Sequence, residues 1–122
     1  MTPAEIQAQI HAAVTKECPT LKWTMDGGST AMAQVLNSAL WVHVEVSAWD
    51  DATGRPAEFS VVIHERGVHR HDRPVPLGRT LQGLRAVIIR RMSVLAQGWR
   101  ERAKVLDEAV RVVRGGDGDD DR

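Results

Sequence analysis

The chain has 122 residues, 43% of them hydrophobic, with 16 basic and 16 acidic side chains. That length suits one domain with a modest core, and apolar runs such as 86–89 are far too short to cross a membrane. Cys18 is the sole cysteine, which excludes an internal disulfide and a thiolate zinc cluster.

A lone cysteine, together with a start that lacks a basic-then-apolar leader, points to a cytoplasmic protein. The balanced charge conceals a strong asymmetry. Residues 1–63 hold three basic and seven acidic side chains, net −4; residues 64–114 hold twelve and five, net +7; the remainder is net −3. Such a split implies an acidic partner, or an acidic tail that competes for the basic face.

In chain order, Thr2-Pro3-Ala4-Glu5 reads as a capping box with proline in the first turn. Ile6, Ile10, Ala13 and Val14 then form one apolar face, and Cys18-Pro19 ends the helix, predicted over 3–17. Leu21, Trp23 and Met25 alternate with polar residues up to Gly27-Gly28, a short strand. Residues 30–37 fit either a return strand or one helical turn.

The clearest strands follow. Leu40, Val42, Val44, Val46 and Ala48 alternate with Trp41, His43, Glu45, Ser47 and Trp49, and Phe59, Val61 and Ile63 alternate with Ser60, Val62, His64 and Arg66. An antiparallel hairpin is expected, with Val44 opposite Ile63, Val46 opposite Val61 and Ala48 opposite Phe59. Its outer face then sets His43 opposite His64, Trp41 opposite Arg66 and Ser47 opposite Ser60. Residues 67–76 read as a loop.

From Thr80, a plausible cap, to Gly115-Gly116 the pattern is one long helix. Leu81, Leu84, Ile88, Met92, Leu95, Trp99, Leu106, Val110 and Val113 fall in one stripe, expected to lie on the sheet. Val87, Val94, Val105 and Val112 form a second apolar line, the expected homodimer interface. Arg79, Arg90, Arg100, Lys104 and Arg111 occupy the remaining arc. Gly98 is a candidate bend or close-contact point, at a cost of about 1 kcal/mol relative to alanine.

The fold class is therefore α+β: a small antiparallel sheet of three or four strands, with an N-terminal and a long C-terminal helix on one face. The domain spans 1–114, and 115–122 is an acidic tail expected to be disordered. The order α-β-β-β-α resembles that of the double-stranded-RNA-binding domain, across roughly residues 3–114. That resemblance implies a second helix that places basic side chains on phosphates. The chain departs from that family where its lysine-rich start would stand, reading Gly78-Arg79-Thr80-Leu81-Gln82-Gly83.

No phosphate loop, dinucleotide fingerprint, HExxH or nucleophile elbow occurs, so no enzyme and no cofactor is expected. The five histidines lack the spacing of a known metal site, and no metal is expected. The sequence reads as a non-enzymatic macromolecule-binding protein: an adaptor, accessory or inhibitor protein of a bacterium or phage, inhibitors of host defence included. The protein-binding face comprises Trp41, Trp49, Arg66, His43 and His64, since exposed aromatics on a strand serve as anchors. The alternative is nucleic-acid binding through the basic arc.

Overall fold

Helix α1, Pro3–Glu17, forms where its capping box lies. The Thr2 hydroxyl accepts the Glu5 N–H at 3.2 Å, and the Glu5 carboxylate accepts the Thr2 N–H at 3.3 Å. In the computed structural model, residues 2–36, 40–65 and 73–115 are described. Arg66, most of the 67–76 loop with His69 and His71, and the acidic tail after Gly115 lie outside them.

Five strands follow α1: β1 Thr24–Asp26, β2 Thr30–Gln34, β3 Leu40–Trp49, β4 Pro56–Glu65 and β5 Val75–Gly78. They form one antiparallel sheet in the order β1-β2-β3-β4-β5. The sheet thus exceeds the three or four strands expected. Residues 30–34 are strand, so of the ambiguous stretch 30–37 that part is the return strand while residue 37 lies outside the described residues, and β5 emerges from the end of the supposed loop. Strand β5 carries Pro76, which a sheet tolerates at an edge because the missing N–H leaves no ladder bond broken. With five strands, the element order no longer matches α-β-β-β-α.

The β3–β4 register differs from expectation by two residues. Val44 pairs with Val61, Val42 with Ile63 and Val46 with Phe59. The expected register required a two-residue turn at Thr53-Gly54. The chain instead closes the pair Asp50–Arg55 around a four-residue loop. The Asp50 carboxylate accepts the Ala52 N–H at 2.9 Å, and the Asp50 carbonyl accepts the Gly54 N–H at 2.7 Å, with Gly54 at φ +69°. Because side chains alternate with period two, this slip leaves the inner and outer faces as expected.

One face of the sheet carries Ala31, Ala33, Val42, Val44, Phe59, Val61 and Ile63, all buried, together with Ile6, Ile10 and Val14 of α1. Each fully buried aliphatic side chain contributes about 1.5–3 kcal/mol. Helix α1 crosses β1 and β2, where Ala31 and Ala33 leave room for it. Trp23 is buried just before β1. Its indole N–H donates to the Cys18 carbonyl at 2.9 Å, and His11 donates through Nε2 to the Trp23 carbonyl at 3.1 Å.

Helix α2 is Leu84–Val113, beginning four residues later than Thr80. Gly83 at φ +85° interrupts the backbone, and the Thr80 hydroxyl instead accepts the Gln82 N–H within a turn. The chain divides into two units, Met1–Ile89 and Arg90–Arg122, with α2 running through the division. In the first unit Leu81, Leu84 and Ile88 are buried, as the stripe predicts. In the second, Trp99, Leu106, Val110 and Val113 are 39, 58, 46 and 86% exposed. The expectation that the whole stripe is buried therefore fails beyond Ile88. A helical wheel specifies which residues share a face but not what reaches that face. No helix of the described residues is long and apolar enough to cross a membrane.

Candidate protein-binding surface

The strand registers place side chains of the outer sheet face in three rows. Gln34, Trp41 and His64 form one; Thr24, Met32, His43 and Val62 the next; Asp26, Thr30, Glu45, Ser60 and Pro76 the third. Apart from buried Ser60, the central side chains Met32, Trp41, His43, Glu45 and Val62 are half-buried, whereas their inward neighbours Val42, Val44 and Val61 are sealed. This face therefore offers an apolar patch of Trp41, Met32 and Val62. Two imidazoles lie at its centre, and Asp26 and Glu45 form an acidic margin.

Trp41 faces His64 directly, in place of the expected Arg66. Glu45, in place of Ser47, faces Ser60. His43 faces Val62, so the two histidines are diagonal neighbours rather than opposites. They still meet edge to face, with ring centroids 5.9 Å apart. Among the described residues no group of three or more His, Cys, Asp or Glu side chains could hold a metal ion.

The pKa of His43 is lowered. Burial is the main cause, repulsion from His64 adds to it, and Glu45 and Asp26 oppose it. Burial thus outweighs the imidazolium repulsion that the sequence suggests. A histidine whose folded pKa is depressed binds fewer protons than it does unfolded, at pH values between the two pKa values. Its contribution to stability is therefore complete above the unfolded value of 6.5 and is lost as pH falls below it through the folded pKa. The melting temperature is expected to drop over that acidic window, and His43→Gln should flatten the drop. An identical pH profile of melting in the variant would dismiss the effect.

Trp49 does not join this patch as expected. Bulges between Val46 and Ala48 and between Ala48 and Trp49 make the β3–β4 register irregular at that end. The two tryptophans are also eight residues apart on β3, roughly 26 Å at the strand rise. Trp49 is exposed at the far end, beside the Asp50 loop.

Sequence reasoning left three contributors out of the binding face, one of them Val62, which it placed on the outer face without counting it among the anchors. Met32 sits in the stretch that read ambiguously, and Leu36 lies in the β2–β3 connection at the end of the hairpin where Trp41 stands. Leu36 is 92% exposed and has φ +56°, a conformation few apolar residues adopt. Nothing in its local sequence marks it.

Of the expected basic arc, Arg79 belongs to the first unit, outside α2. With Arg55, Ile6, Ile10, Phe59 and Leu81 it lines a cavity of about 290 Å³. Arg90, Arg100, Lys104 and Arg111 share one arc of α2, and all are exposed. Arg111 pairs with Glu108 one turn away; Arg90, Arg100 and Lys104 make no ion pair among the described residues. Along the valine line, Val87 is half-buried in the first unit, while Val94, Val105 and Val112 are exposed.

No protein-family model matches this chain, and neither a curated protein nor a solved structure shows significant similarity to it.

Proposed function

We propose that the protein is a non-enzymatic binding module, an adaptor, accessory or inhibitor protein, that docks a protein partner on the outer sheet face. The observation that carries this reading is the half-exposed apolar patch of Met32, Trp41 and Val62 opposite a sealed core face. An aromatic anchor within an apolar patch and a polar margin is the usual anatomy of a binding centre. The acidic margin of Asp26 and Glu45 suits a partner whose contact surface is apolar with a basic rim.

The test is affinity capture from the source cells with the intact chain, Trp41→Ala and Val62→Asp. Both side chains are half-exposed, so both variants should fold. A partner retained by the native chain is expected to weaken at least tenfold on loss of Trp41, in line with about 2 kcal/mol for an aromatic hot spot. Unchanged capture by both variants would move the site elsewhere.

The second reading is nucleic-acid binding by α2. It is favoured by the three exposed cations Arg90, Arg100 and Lys104, which lack ion-pair partners among the described residues. Under that reading a labelled duplex binds at low salt, and Arg90→Ala with Arg100→Ala lowers both affinity and salt dependence.

A further inference from the structure

Beyond Arg90, helix α2 carries a seven-residue repeat. Met92, Trp99, Leu106 and Val113 recur at one position, and Leu95, Arg102 and Ala109 recur three residues after each of the first three. Positions spaced in this way line one seam of a helix. Met92 and Leu95 are half-buried; Trp99, Arg102, Leu106, Ala109 and Val113 are exposed. A helix of this length with its apolar seam in water has little to stabilise it besides propensity.

We infer that this seam pairs with the same seam of a second copy of the chain, antiparallel, about a twofold axis between Trp99 and Arg102. In that register Trp99 meets the partner's Arg102, Leu95 meets the partner's Leu106, and Met92 meets the partner's Ala109. The single charge in the seam selects this orientation. Antiparallel pairing lays each Arg102 guanidinium on the ring of the partner's Trp99. Parallel pairing in register would set Arg102 against the partner's Arg102, two like charges in an apolar layer. Under the twofold, long Met92 opposes short Ala109, so the surface is complementary to itself, as an isologous contact requires.

The flanks of the seam support close approach. Ala96, Gly98 and Ala103 border it, and a Cβ at Gly98 would meet nothing within 4 Å in the single chain. Packing within the chain therefore does not require a glycine there. Arg90, Arg100, Lys104 and Arg111 lie on the arc opposite the seam, at 100° per residue, and stay in water when the seam closes. Val105 and Val112 border the seam. The heptad continuation of Val94 falls on Glu101 and Glu108, so the Met92–Trp99–Leu106 seam, rather than the valine line alone, is the contact. This pairing makes no use of the outer sheet face.

Sedimentation equilibrium of the full chain at micromolar concentration tests it. The expected mass is twice the chain's 13.5 kDa, and Leu106→Glu should give one chain mass with a weaker helical signal. Leu106 is exposed in the single chain, so at dilution, where both chains are single, the variant should melt as the native chain does, which separates dissociation from misfolding. Under oxidising conditions Leu95→Cys mixed with Leu106→Cys should form a disulfide between the two variants. Each alone should stay uncrosslinked, because like positions are roughly 16 Å apart along the axis in this register. A single-chain mass at every concentration, or a dimer that survives Leu106→Glu, would overturn the pairing. Self-crosslinking of Leu95→Cys alone would overturn the antiparallel register.

Discussion

Trp23→Ala is expected to destabilise the protein by about 3–5 kcal/mol, the usual loss for a buried tryptophan, against a total stability of about 5–15 kcal/mol for a domain. Trp23 is 5% exposed and does two things at once. Its ring fills the space between the end of α1 and the start of β1. Its indole N–H satisfies the carbonyl of Cys18, the residue that caps α1. Trp23→Phe separates these contributions, since it keeps most of the ring and removes the donor. The Cys18 carbonyl retains a longer bond from the Leu21 N–H at 3.4 Å, so the phenylalanine variant should lose only about 1 kcal/mol. Urea unfolding midpoints read both values. If the two variants lost equal stability, ring packing would not be the larger contribution.

How much of this was legible in the sequence depended on whether the deciding interaction is local. Helix α1 was, because Thr2, Pro3 and Glu5 carry its start within four residues and Pro19 its end. The inner and outer faces of β3 and β4 were, because parity survives a two-residue slip. The register was not, because it depends on whether Asp50 or Ala52 opens the turn, and both sequences allow it. Strand β5 was hidden by Pro76 and Gly78, which read as loop residues and are acceptable only because β5 is an edge. The start of α2 was missed because Gly83 takes positive φ, which no neighbouring residue announces. For the candidate surface, alternation identified Trp41, His43 and His64 correctly as outward. At Trp49 the register is broken by bulges, which alternation does not announce.

Two leucines in α2 measure the difference between a face defined by pattern and a face that is covered. Leu84 is 0% exposed, and Leu84→Ala is expected to cost about 3–5 kcal/mol in any concentration range, because a fully buried leucine leaves a cavity that the packed interior fills only in part. Leu106 has the same side chain on the same helical stripe but is more than half exposed. In dilute protein Leu106→Ala should cost below about 0.5 kcal/mol, as surface substitutions do. In concentrated protein the native chain should melt at a higher temperature than in dilute protein, because self-association stabilises by mass action, and Leu106→Ala should remove part of that gain. Thermal melts at two concentrations distinguish the cases. Equal, concentration-independent losses at both leucines would mean that Leu106 is covered within a single chain, and the antiparallel pairing of α2 would then have no free seam to use.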